Sequence, residues 1–241
     1  MNTHTSASQS GQAPSLTAAI IRRFIQLAAY IVIQAALLFA ASGRPDWLMA
    51  WIYLGLYVGG IALLSVVLLP RSPELVAERS QIKENAKGWD RVLTSLYGVI
   101  GLSILVVAGL DLRFGWSPHF PDWLEWVGVV VILPGWALLS WAMISNRFFS
   151  GVVRIQTDRG HTVVSGGPYQ FVRHPGYGGM IIAALATAAM LGSWWAFIPT
   201  GLLLCLIVVR TALEDRTLQN ELAGYQAYAA RVRYRLVPGV W

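Results

Sequence analysis

Five runs of the chain carry no charged side chain, and their lengths leave few folds open. They are Phe24–Gly43, Trp47–Pro70, Val92–Leu110, Trp126–Asn146 and Pro175–Val209, of 20, 24, 19, 21 and 35 residues. A helix crossing the hydrocarbon of a bilayer needs roughly 20 apolar residues at about 1.5 Å of rise each. The first four runs each fit one crossing. The fifth is too long for one and fits two helices that turn near Gly192 and Ser193. In lipid the backbone must satisfy its own hydrogen bonds, which leaves helices or closed barrels. The expected fold is therefore an all-α integral membrane domain of about six transmembrane helices. Charged residues make up only 12% of the 241, against about 25% in soluble proteins, and this agrees.

Lysine and arginine then set the orientation. With the N-terminus inside, the inner segments hold Arg22 and Arg23, then Arg71, Arg79, Lys83, Lys87 and Arg91, then Arg147, Arg154, Arg159 and Arg173. After the last crossing come Arg210, Arg216, Arg231, Arg233 and Arg235, while the outer loops hold only Arg44 and Arg113. Both termini are expected in the cytoplasm, and the expected location is an inner membrane of bacterial type. The net charge of +6 reads as topology plus attraction to anionic lipid. No basic stripe on a soluble domain points to nucleic acid.

Residues 1–17 are rich in Ser, Thr, Gln and Ala and read as a disordered cytoplasmic tail, leaving 18–241 as a single membrane domain. The first apolar run exceeds the core of a cleaved signal peptide. Cys205, the single cysteine, reads as a small buried apolar residue. Gly55 and Gly59 form a GxxxG pair expected to pack helices, and Pro134-Gly135 should kink or loosen the fourth span. Tryptophans gather near span ends, as an aromatic belt does. Residues 71–90 read as a helix on the cytoplasmic surface, with Ser72 as cap and Pro73 in the first turn. The second inner loop, 147–174, carries no regular pattern. No strand–GxGxxG–helix unit and no P-loop is present.

The chemistry-bearing residues gather at the ends of the last hairpin. In "GPYQFVRHPGYGG" (167–179), the residue before proline avoids the helical region, so His174 is extended and Pro175 opens a helix. The free N–H groups of that first turn suit an anionic group. Arg173, His174, Tyr169 and Tyr177 surround it, and Gly176, Gly178 and Gly179 let either a ligand or another helix come close. At the other end stands "RTALEDRTLQNELAGYQAYAARVRYRLVP" (210–238), read as a C-terminal amphipathic helix. Arg210, Glu214, Leu218, Glu221, Tyr225 and Tyr228 share one helical face. Ionisable groups at a membrane surface that crossing does not require are candidates for function. Solvated ion pairs and packing glycines are the structural alternative.

Together these segments resemble the isoprenylcysteine carboxyl methyltransferase-like family of integral membrane methyltransferases. The resemblance covers about residues 146–241 and rests on the RHPxY and RxxxE[ED]xxL patterns at hairpin spacing. It implies S-adenosylmethionine as methyl donor. It places His161, Thr162, Val163, Val164, Tyr169, His174, Pro175, Gly176, Tyr177 and Glu214 around that cofactor, with Arg154 or Gln156 completing the site. It implies that Arg210 faces the methyl acceptor. Asp215 stands where a second glutamate is common.

The chemistry is compatible with this. Glu214 can accept from an ammonium or ribose hydroxyls, and the faces of Tyr169 and Tyr177 suit a sulfonium. A carboxylate acceptor is already ionised and needs no base, and Arg210 could orient it bidentately. A thiol or amine acceptor would need His174 or Glu221 as base. A metal site built on His161 and His174 lacks the accompanying ligands. Two rivals are an NADPH-dependent reductase of sterol-like lipids, against which the acidic "LEDRTL" stands, and a membrane transporter or scaffold. The expected function is membrane-embedded methyl transfer to a lipophilic or small acceptor. The acceptor's identity, an isoprenylcysteine-type carboxylate by resemblance, is not written in the residues.

Overall fold

A computed structural model describes residues 15–80 and 86–241. Most of the expected disordered tail, and Lys83 within the 71–90 segment, lie outside the described residues. Among the described residues there is no strand, and eight α-helices follow in order. They are α1 (Leu16–Ser42), α2 (Leu48–Arg71), α3 (Pro73–Glu78), α4 (Gly88–Phe114), α5 (Asp122–Ser145), α6 (Pro175–Met190), α7 (Phe197–Glu221) and α8 (Tyr225–Arg231). Helices α1, α2, α4, α5 and α7 are long and apolar enough to cross a membrane. Their outward residues, such as Val32, Leu63, Val66, Val99 and Leu202, remain exposed, as lipid-facing side chains should. The chain is an all-α integral membrane protein.

The fifth apolar run splits as expected. Gly192 turns it with a φ of 67°, a left-handed conformation open to glycine at little steric cost. The first half, α6, has 16 residues and is about 24 Å long, short of the ~30 Å hydrocarbon thickness. Pro175 fixes its start and the glycine turn its end. Five helices therefore meet the length for crossing, and α6 is a shorter apolar helix among them.

Small residues decide how α6 sits. A Cβ on Gly179 would lie 2.5 Å from the Gly135 carbonyl oxygen, and one on Gly128 would lie 2.4 Å from the Met190 nitrogen. Helices α5 and α6 can press together only because these positions lack side chains. Helix α5 continues through Pro134, and Gly135 beside it packs against α6, where a Cβ would lie 2.9 Å from the Ala183 nitrogen. Gly55 and Gly59 face open space; the tight glycine of α2 is Gly60, whose Cβ would strike the Trp136 ring. The buried core runs through Leu38, Ala50, Leu105, Ala108, Ile132, Met190 and Ile207.

Three further expectations are corrected. The 71–90 segment forms no single surface helix: Arg71 ends α2, Pro73–Glu78 make the six-residue α3, and residues 88–90 open α4. Ser72 makes no side-chain cap there; its N–H instead ends α2 on the Leu68 carbonyl, 2.7 Å away. Leu75 and Glu78 are buried, so α3 is tucked into the molecule rather than laid on its surface. Cys205 is exposed on α7, not buried. The long C-terminal helix is interrupted after Glu221, because Gly224 takes a φ of 81° before the seven-residue α8 begins.

Candidate active site

Residues 146–174, two short 3-10 turns joined by irregular backbone, cover one end of the bundle and enclose a cavity of about 350 Å³. Their geometry is fixed by backbone pairing with the C-terminal tail. The Arg173 N–H donates to the Tyr234 carbonyl at 2.9 Å, and the His174 N–H to that of Arg235 at 2.8 Å. His174 is the extended residue that Pro175 demands, and it directs its ring to α7.

There Asp215, fully buried, gathers the loop, the last long helix and the tail. It accepts from Arg173 Nε at 2.8 Å and Nη2 at 3.0 Å, from Arg235 Nε at 3.0 Å and from the Tyr225 hydroxyl at 3.0 Å. His174 Nε2 lies 3.3 Å from the same carboxylate, and Gln219 donates to it at 2.8 Å. A carboxylate held by several donors keeps its charge despite burial. This residue, which the sequence suggests only as a substitute for glutamate, is the anchor of the site.

The other buried charges pair across long sequence separations. Arg210 Nε donates to Asp90 at 2.7 Å, and its Nη2 reaches Asp90 at 3.2 Å and the Gly151 carbonyl at 3.0 Å. Arg154 is bound to Glu78 at 2.7 Å and to Asp158 at 2.7 Å. Gln156 donates to the Phe148 carbonyl at 2.6 Å and accepts from Arg159 at 2.6 Å. All three side chains line the cavity, with much of their bonding capacity used to hold its walls. Asp90 also accepts from the Val153 N–H at 2.7 Å, so one carboxylate joins α4, α7 and the loop.

Among the described residues, this leaves Glu214 as the lining carboxylate and Arg79 as the lining guanidinium outside any ion pair. Glu214 accepts from the Tyr177 hydroxyl at 2.5 Å. The Arg210 guanidinium lies 5.5 Å from the centroid of the Tyr177 ring, and His174 stacks on that ring at 5.9 Å.

Burial raises the pKa of Tyr169 and Tyr225 and pushes Tyr228 up to about 12, so these phenols stay protonated donors. Tyr228 donates to the Tyr169 carbonyl at 2.7 Å and Tyr169 to that of Ala142 at 3.3 Å, which holds the loop against α5. His161 is lowered to about 4 by burial, with Arg154 and Arg159 adding to the effect. It is neutral at physiological pH and packs at a tilt against the Phe148 ring, 4.6 Å between centroids.

The structure brings Arg154, Gln156, His161, Thr162, Val163 and Val164 to one cavity with Tyr169, His174, Gly176, Tyr177, Arg210 and Glu214. Pro175 starts α6 without lining the cavity. Gly176 and Gly179 serve close packing: a Cβ on Gly176 would meet the Phe149 ring at 2.7 Å. Of the face read from 210 to 228, Arg210, Glu214, Leu218, Tyr225 and Tyr228 line the cavity. Glu221 turns outward to Lys87, at 2.7 Å. Asp90, Glu78 and Arg79 escaped sequence reasoning, since nothing local marks a partner that lies 76 or 120 residues away. Among the described residues no group of three or more His, Cys, Asp or Glu could hold a metal.

Comparison with known proteins points the same way. Residues 126–220 match the model of the isoprenylcysteine carboxyl methyltransferase family. A probable protein-S-isoprenylcysteine O-methyltransferase of Oryza sativa subsp. indica is 35% identical over 69 residues, 28% of this chain and 36% of that protein. Protein-S-isoprenylcysteine O-methyltransferase A of Arabidopsis thaliana is 31% identical over 132 residues, 54% of this chain and 66% of that protein. The Xenopus laevis enzyme is 31% identical over 78 residues, 30% of this chain and 27% of that protein. The chain thus spans about a third of the length of the first of these relatives. The matched segment holds α6, most of α5 and α7, and the loop that roofs the cavity, and over it the chain is similar to the isoprenylcysteine carboxyl methyltransferase family.

Proposed function

We propose that the protein is a membrane methyltransferase that uses S-adenosylmethionine to methylate a lipophilic carboxylate. The observation that carries this reading is Glu214. It is the lining carboxylate outside any ion pair among the described residues, it lies within the family-matched segment, and it is held by Tyr177. Such a group suits a ligand that brings its own positive charge. The cavity volume of about 350 Å³ falls in the range of small-molecule sites. Its walls offer Phe148, Val163, Val164, Leu218 and Leu222 as apolar faces, with Asn146, Thr162 and the tyrosine hydroxyls as polar ones. That mixture fits an adenosine joined to an amino acid.

When bound, S-adenosylmethionine supplies a methyl group on positively charged sulfur, and its transfer to a carboxylate oxygen yields an ester and a neutral thioether with no proton to move. The residues then have to position rather than to titrate. Neutral His161 adds no positive charge that would repel the donor. Tyr177 orients Glu214, and its ring, beside that of His174, presents an aromatic face. Asp215 holds Arg173 and His174 in place, and Asp90 holds Arg210. In this reading Arg210 acts through the wall it supports, the catalytic part spans about 146–241, and the loop end faces the cytoplasm, where lysine and arginine concentrate.

Calorimetric titration of the detergent-purified protein with S-adenosylhomocysteine and, separately, with NADPH tests the proposal. Saturable binding of S-adenosylhomocysteine that Glu214→Ala abolishes is the expected result. Binding of NADPH alone would make the protein a reductase and overturn the reading.

A further inference from the structure

A second cavity, of about 360 Å³, lies among α1, α2, α4, α5, α6 and α7. Its walls are mostly apolar but carry the tyrosines Tyr30, Tyr57 and Tyr97. It adjoins the first: Arg79, Tyr97, Leu139, Met143 and Met180 line both. The first cavity carries most of the charged side chains and is built largely from the family-matched segment. The second has only Arg23 and Arg79 as charged lining residues and is built largely from helices outside that match.

Two buried polar atoms at the polar cavity have no hydrogen-bond partner among the described residues, Arg79 Nη1 and Thr94 Oγ1. Thr94 precedes Tyr97 by one turn of α4. Arg79 has no counter-ion among the described residues. The Phe149 ring lies 5.6 Å from its guanidinium carbon, and Arg23 donates to its carbonyl at 3.4 Å, bringing a second positive charge close. Burial, together with Arg23 and Arg210, lowers the Arg79 pKa to about 10, so it remains cationic near neutral pH. Arg79 is half-buried with its Nη1 fully enclosed, and a guanidinium so placed without an anion is costly, as is a buried hydroxyl without a partner. Both residues line the same cavity, and an anion bound in it is the kind of partner each atom lacks.

We propose that Arg79 and Thr94 form the receptor for the carboxylate of an amphiphilic methyl acceptor whose apolar body fills the tyrosine-lined cavity. The proposal rests on the methyltransferase reading, and it divides the charges of the site. Glu214 faces the cationic donor and Arg79 the anionic acceptor, from opposite halves of the sequence. The carboxylate lies where the two cavities adjoin, which puts an ionised oxygen beside the donor site without a general base. Arg210, already bound to Asp90, is left to position the wall.

The test compares binding of N-acetyl-S-farnesylcysteine with that of its uncharged primary amide, and of oleate with oleamide, to the full-length protein in detergent. S-adenosylhomocysteine binding is measured in parallel. Wild-type protein is expected to prefer acid over amide by about 10- to 100-fold, the range of a charge-assisted hydrogen bond. The pair showing the preference identifies whether the carboxylate comes from a prenyl thioether or a free fatty acid. Arg79→Gln erases the preference, Arg79→Lys retains part of it and Thr94→Val reduces it, all with S-adenosylhomocysteine affinity unchanged. Equal binding of acid and amide to wild-type protein overturns the proposal even if Arg79→Gln does not fold. So does loss of S-adenosylhomocysteine affinity in Arg79→Gln with the acid preference intact. An Arg79-dependent acid preference without S-adenosylhomocysteine binding would leave the receptor standing and remove the methyltransferase reading instead.

Discussion

The two ends of the helix bundle each bury aspartates, and they satisfy them differently. At the loop end, Asp215 and Asp90 are met by guanidiniums. At the other end Asp111 is met by hydroxyls: Ser117 donates to it at 2.6 Å and Ser193 donates to the same oxygen. Those serines in turn accept from the N–H groups of Trp194 at 3.1 Å and Ala196 at 3.0 Å, which fixes the turn between α6 and α7. One end uses charge pairs to hold a cavity open between an irregular loop and the helices beside it. The other uses a compact hydroxyl knot to close a turn. Buried ions demand strict pairing, so where they are numerous they also specify one arrangement of the loop.

Perturbing the loop end should produce the largest effect. Asp215→Asn leaves Arg173 and Arg235 without their buried counter-charge, and we expect a loss of about 3–5 kcal/mol. It should appear as a lower unfolding temperature together with loss of S-adenosylhomocysteine binding. Ser193→Ala at the opposite end removes one donor to a buried carboxylate, for an expected cost of about 1–3 kcal/mol. Here cofactor affinity should not change; a parallel loss would show that the two ends are coupled and break the contrast. Glu221→Ala removes a pair exposed to solvent, with an effect within about 1 kcal/mol that vanishes at high salt. Thermal unfolding at two ionic strengths reads it.

The last effect is read in pH. His161 has its pKa lowered to about 4 in the folded protein from an ordinary value of 6.5, so the unfolded chain takes up a proton first as pH falls. Its contribution to stability is complete above pH 6.5 and declines between 6.5 and about 4. Unfolding of His161→Gln should be less sensitive to pH across that window. An unaltered profile would place the titration elsewhere.

Much of the architecture was legible because membrane crossing imposes a length on each apolar run. The four single runs and the Gly192 turn could be read directly. The C-terminal face was legible in part: helical spacing placed Arg210, Glu214 and Leu218 together, and it carried no sign that Gly224 would break the helix. The RHPGYGG glycines left ligand approach and helix packing open, and the close contacts of Gly176 with Phe149 and Gly179 with Gly135 decide for packing. Arg154 and Arg210 looked available for ligands because their partners, Glu78 and Asp90, lie outside the motif that drew attention to them.

By itself the sequence determined that the chain is helical and enters a membrane, and it drew the candidate site to where the last hairpin meets the 146–174 loop. Those are consequences of hydrophobicity and local spacing, which act over a few turns of chain. Only the tertiary structure decided which charges are spent on one another. Pairing of buried ions depends on distances between helices far apart in sequence. It is that pairing which leaves Glu214 and Arg79 facing a cavity with charge still to be met.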